Sequence, residues 1–117
     1  VQPFKYKPNL NSGLFRHRIS ILRPPDPEKD VDEAGQPLDE WIPVAETWAD
    51  IFQLRGRELF SAQQVNAEVT TRITIRYRTG IDRTMKAVYE GKVFEFLYVI
   101  DKDYAKKELQ IMCKERQ

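Results

Sequence analysis

The chain has 117 residues, enough for one domain with a single core but not for an elaborate catalytic cleft beside it. Hydrophobic residues make up 41% and charged residues 32%, the composition of a soluble globular domain, and a net charge of +1 supplies no global field toward DNA or anionic membranes. One cysteine, Cys113, excludes an internal disulfide and fits a reducing compartment.

Residues 1–13, "VQPFKYKPNLNSG", hold two prolines, two asparagines and a glycine and are expected to form a flexible N-terminal arm. They lack the apolar core of a signal peptide, and no apolar run reaches the roughly 20 residues of a membrane span. The expected setting is therefore a cytoplasm, with no membrane partner. The remaining residues, 14–117, read as one domain.

"LFRHRISILR" places Phe15, His17, Ile19 and Ile21 on one face at period two, which predicts a strand. Residues 24–40, "PPDPEKDVDEAGQPLDE", contain four prolines and seven acids and predict a long loop, read either as a solvated surface loop or as a functional one. "WIPVAETWADIFQL" predicts a bent strand with Trp41, Trp48 and Phe52 supplying bulk, and Pro43 implies an edge or a bulge near its start. "GRELFSAQQV" has helix formers over about three turns but few apolar residues to anchor it.

"EVTTRITIRYR" alternates most cleanly. Val69, Thr71, Ile73, Ile75 and Tyr77 face one way, and Thr70, Arg72, Thr74, Arg76 and Arg78 the other. "MKAVYEGKVFEFLYVID" predicts a hairpin turning at Glu90-Gly91, with Phe94, Phe96, Tyr98 and Ile100 sharing one face. "ELQIMCKER" predicts a last strand with Leu109, Ile111 and Cys113 inward. About six closely spaced antiparallel strands and one short helix imply a mainly β protein, a small antiparallel barrel with long loops.

Chemistry is sparse. His17 shares its strand face with Ile19 and reads as structural, Cys113 alternates with Ile111 as a core residue, and no serine sits in a nucleophile-elbow context. One histidine and one cysteine do not make a nitrogen–sulfur metal site. Asp30, Asp32 and Gly35 resemble the start of a calcium loop, but Ala34 and Trp41 occupy positions that require oxygen ligands. No phosphate-binding glycine loop occurs. The expectation is no enzyme, no cofactor and no metal. Arg72, Arg76 and Arg78 form a candidate basic face, so a small nucleic-acid-binding barrel is an alternative reading. Glu58 and Glu68 nearby, and threonines in place of stacking aromatics, favour an ordinary solvent or interface face.

Taken together, "LFRHRISILRP", the "GRE-x-F-x-A-Q-Q" segment, "T-x-R-I-T-I-R-Y" and the "Y-x-G-K-x-F" hairpin resemble the phage head–tail joining proteins, the head-completion or stopper proteins of long-tailed phages and prophages. The resemblance spans residues 14–115. It implies a ring of copies in the virion neck, between a portal-bound adaptor and the tail, that closes the DNA exit and offers a surface for the tail terminator or other tail proteins. Phage DNA in the channel would be met without sequence specificity. In such proteins the segment between the second and third strands can act as the gate. Here that is about residues 53–70, with Arg57, Glu58, Phe60, Gln63 and Gln64 as candidate gate or inter-subunit residues. The competing reading of the same helix is a plug for one barrel end made by Leu59, Phe60 and Val65, and this plug is expected in the isolated chain, with the gate applying only in the ring. The free chain is expected to be a monomer that assembles in the bacterial cytoplasm.

Overall fold

Alternating apolar and polar residues leave each strand with one dry face, and six such faces are buried together by closing the sheet on itself. A computed structural model describes residues 15–101 and 104–116; the arm expected at 1–13 lies outside them. The strands are β1 (His17–Arg23), β2 (Ile42–Gln53), β3 (Thr71–Arg76), β4 (Lys86–Tyr89), β5 (Lys92–Asp101) and β6 (Glu108–Arg116), with helix α1 (Gly56–Val65) between β2 and β3. They form a closed barrel in the order β1-β2-β3-β6-β5-β4, and every pairing is antiparallel. The mainly β, six-stranded barrel with one short helix is the fold expected from the sequence.

The interior is built from the predicted faces. Ile19, Ile21, Ile73, Ile75 and Ile111 are fully buried, with Ala49, Ala87, Phe94, Phe96 and Cys113 filling between them. Bulky isoleucines on β1, β3 and β6 meet alanines on β2 and β4, so large and small side chains interdigitate in a narrow barrel.

Two irregularities bend the barrel. Ile21 pairs with Ala45 but Leu22 pairs with Pro43, so Val44 is an extra residue beside a proline that has no N–H to give the ladder. On β5, Phe96 pairs with Cys113 and Tyr98 with Met112, leaving Leu97 as the extra residue. That bulge overturns one expectation. Phe94 and Phe96 point into the barrel, but beyond Leu97 the parity reverses. Val99 packs on the interior, Tyr98 joins an outer cluster, and Ile100 is 39% exposed. Trp41 and Trp48 also supply no core bulk. Ala49 takes the inward position, Trp48 is 51% exposed, and Arg18 and Lys86 lie over the Trp48 and Trp41 rings at 5.4 and 4.1 Å.

The β4–β5 turn places both Glu90 (φ 48°) and Gly91 (φ 82°) in the left-handed region. Two successive positive φ values define the tight hairpin turn whose twist matches the flanking strands, with Tyr89 opposite Lys92. A second, smaller cluster lies outside the barrel wall: Leu54, Ala62, Val69 and Met112, with Phe52, Leu59, Leu97 and Tyr98 packed against it.

Truncating Ile111 to Ala removes most of a fully buried side chain from the barrel interior, and should cost about 2–5 kcal/mol of stability by chemical denaturation. A loss under about 1 kcal/mol would mean that the interior is not close-packed.

Candidate functional site

Helix α1 has little intrinsic stability. Its 10 residues fall short of the roughly 12–15 that an isolated helix needs, the N-cap Arg55 makes no side-chain capping bond, and its last turn has no basic residue. Gly56 at φ 59° lets the chain leave β2 sharply. The segment is pinned at both ends: Leu54 N–H donates to the Thr70 carbonyl at 3.0 Å, and Thr70 N–H donates to the Cys113 carbonyl at 2.9 Å. Between these pins it leans on the outer wall. Ala62 and Leu59 touch the Met112 cluster, Arg72 Nη1 donates to Glu58 Oε2 at 2.8 Å, and Gln63 Nε2 donates to the Val69 carbonyl at 3.2 Å. A shallow groove of about 360 Å³ separates helix and wall, with Val65, Tyr98 and Met112 among its lining.

The expected plug of Leu59, Phe60 and Val65 is therefore not formed. Only Leu59 packs, while Phe60 and Val65 are 68% and 72% exposed, because the helix lies along the wall rather than across a barrel end. Of the candidate gate residues, Glu58 and Gln63 hold the helix to the barrel, whereas Arg57, Phe60 and Gln64 present to solvent.

The arginines of the candidate basic face are not equivalent. Arg72 is held by Glu58 and lies 4.9 Å over the Phe52 ring. Arg76, opposite Glu108, is exposed at the end of β3, and Arg78 is exposed beyond it. Thr74, between Arg72 and Arg76, is buried at 8% exposure.

Residues 24–40 hold more order than their composition suggests. Val31 bridges Pro37, Asp32 N–H donates to the Gln36 carbonyl, and Leu38 N–H donates to the Asp30 carbonyl, making a short finger. Asp32 Oδ1 accepts from Ala34 and Gln36 N–H at its tip, and Gly35 turns at φ 82°. The finger's base is a fork: Arg23 donates to both carboxylate oxygens of Asp30 at 2.7 and 3.1 Å. The Asp26 N–H donates to Asp30 Oδ2 at 2.8 Å. The Arg23 bonds first, and then the Asp26 amide, hold the Asp30 carboxyl down at about 2.

At the barrel end beside α1, inward side chains are polar. His17 Nδ1 and the Tyr89 hydroxyl share a hydrogen bond of 3.0 Å, with the rings edge-on at 4.9 Å. Burial, then the Glu90 carboxylate, pushes the Tyr89 phenol up, so it stays neutral. Burial likewise pushes the Cys113 thiol up, which makes it a poor nucleophile. Among the described residues no three His, Cys, Asp or Glu side chains group as metal ligands, and no helix is long and apolar enough to cross a membrane.

These features are those of a scaffold that presents surfaces. The model of the phage head completion protein family matches residues 10–116, nearly the whole chain. Head completion protein gp7 of Enterobacteria phage HK97 is 26% identical over 110 residues, spanning 90% of this chain and 96% of that protein. The solution structure of protein SF1141 from Shigella flexneri 2a superposes with a TM-score of 0.67 at 28% identity, covering 90% of this chain and 96% of the other. A chain from the virion of a native gene transfer agent particle shares the fold, with a TM-score of 0.51 at 17% identity over 85% of this chain and 94% of its own. The chain belongs to the phage head completion protein family. It is a virion component with a head-completion role, situated at the head–tail neck.

The hold on the helix and the clasp of the finger can each be tested. Replacing Glu58 by Gln should weaken the hold on α1 by about 0.2–1 kcal/mol, the scale of an exposed ion pair. It should raise amide exchange in residues 56–65 without moving the barrel's unfolding midpoint; slower exchange there would contradict the role given to Glu58. For the finger, a depressed carboxyl contributes fully above its ordinary value of 3.8 and is lost as pH falls through about 2. The Asp26 amide resonance should thus be steady from about pH 7 to about pH 4 and move only in stronger acid, while Asp30→Asn should open the finger at neutral pH. A finger that opens near pH 5 would refute the clasp.

Proposed function

We propose that copies of this protein form a ring between a portal-bound adaptor and the tail, close the DNA exit after packaging, and present a docking surface to the tail terminator or other tail proteins. Residues 53–70 serve as the gate. The observation that carries this reading is the one-sided attachment of α1. The segment is pinned at Leu54 and Thr70, but between them it is held by two exposed ion pairs, Arg72–Glu58 and Lys114–Glu68, one amide bond and a small apolar cluster. Such a segment can leave the wall at low cost once neighbouring copies offer Phe60 and Val65 a better environment.

Function here is binding and steric closure, without turnover. Phage DNA in the channel meets the exposed Arg57, Arg76 and Arg78 as phosphate charge only, with no base readout. A dedicated nucleic-acid-binding role is less well supported, because Arg72 at the middle of its supposed face is already engaged by Glu58 and Phe52. The free chain is a monomer, so that ring formation waits for the adaptor.

Deleting the gene from its parent phage should give DNA-filled heads that leak their genome, together with complete, unattached tails. Empty capsids that never packaged DNA would overturn the proposal. Sedimentation of the purified chain as a stable ring without adaptor would contradict the order of assembly.

A further inference from the structure

The helix does not cover the barrel end next to it, and that end is open. The last inward positions of β1, β2, β3 and β6 are His17, Gln53, Thr71 and Glu115, and they rim a cavity of about 230 Å³ whose floor is Ile51 and Phe94. Tyr89, Glu90 and Lys92 of the β4–β5 hairpin complete the rim. Its charged groups are Glu90, Glu115 and Lys92. Lys92 lies 4.0 Å from Glu115, so among the described residues of the rim Glu90 is the carboxylate without a cation beside it. An apolar floor under a polar rim is the form of a socket for one bulky apolar side chain with a charged neighbour.

The same molecule carries a matching knob. Arg57, Phe60 and Gln64 stand at i, i+3 and i+7 of α1 on one exposed face of the helix, with Arg57 also edging the groove beside the wall. Phe60 is 68% exposed, so the socket of its own barrel is not its seat.

We propose that the socket of one copy receives Phe60 of the next copy in the neck ring, with the Arg57 guanidinium meeting Glu90 and Gln64 meeting the polar rim. The inference rests on the ring reading above and names the contact that would close it. Knob and socket are different patches of one surface, so the contact is head-to-tail and repeats around a ring instead of ending at a dimer. Burying the phenyl ring on Ile51 and Phe94 supplies the affinity, and the Arg57–Glu90 pair supplies the register.

The test uses particles made by the gene-deleted phage complemented with variants. With Gln64→Cys and Lys92→Cys together, oxidised particles should show a ladder of covalent multimers on a non-reducing gel. Gln64→Cys paired with Trp48→Cys on the outer wall should stay monomeric. Phe60→Asp should lower the yield of infectious particles by at least about tenfold. Arg57→Glu should lower it by about tenfold, and adding Glu90→Arg should restore it. Every changed position is outside the core, so circular dichroism of each variant should match the parent chain. If the protein is present in several copies per particle yet the Gln64→Cys, Lys92→Cys variant does not crosslink, the socket contact is wrong and the ring stands. If each particle holds one copy, the ring falls and the contact with it. Should the cysteine placed at position 92 crosslink instead to another virion protein, identified by mass spectrometry, the socket has a different occupant and the inference is overturned.

Discussion

Closure of the barrel at the β1–β4 seam is the constraint on which the rest depends. Only Ser20, Ile21 and Leu22 pair there, with Val88, Ala87 and Lys86. Those few rungs convert an open sheet with two exposed edges into a cylinder with none. The seam holds because Ile21 and Ala87 sit opposite each other in the dry interior, and because His17 and Tyr89 bridge the strands nearer the barrel mouth by a side-chain hydrogen bond. Once the cylinder is closed, every side chain is sorted to an inside or an outside, and the outside is free to carry recognition.

The division of labour that results is plain in the helix. An α1 that plugged the barrel would have been part of the core, and its movement would have cost the fold. Lying on the wall over Met112 and Tyr98, it is a satellite whose displacement leaves the isoleucine interior untouched. The stability of the barrel and the hold on the helix therefore draw on different residues. The finger at the other end of β1 repeats the pattern, since its Arg23–Asp30 fork and Asp32 turn make it self-supporting without a share of the barrel core.

Much of this was legible in the sequence. Period-two alternation located the strands, because a closed barrel obliges each one to keep a single apolar face, and Pro43 marked the β2 bulge. What escaped was of three kinds. The Leu97 bulge inserts a residue into a run that is apolar on both faces, so nothing in "FEFLYVI" tells where parity reverses. The seat of α1 depends on whether Met112 and Tyr98 point outward, which is a fact about distant strands. The Arg23–Asp30 fork joins residues seven apart across prolines, where no periodicity applies. The polar barrel mouth was recoverable in principle, since His17, Gln53, Thr71 and Glu115 each extend an inward series by one step. Matching the strand ends to one another required the registers.

The finger has one further consequence, an electrical one. Residues 24–40 contain seven acids and a single lysine, a charge of −6, so with a whole-chain charge of +1 the remainder carries +7. The finger leaves the barrel from the end of β1 opposite to α1, the end that also carries Arg76, Arg78, Arg83 and Lys86, so the acidic segment adjoins a basic end of the barrel. In the ring proposed above, all copies would point the same way and their acidic fingers would lie at one level. Self-repulsion among those fingers would then be a cost of such a ring, and a cationic surface laid across them would remove it.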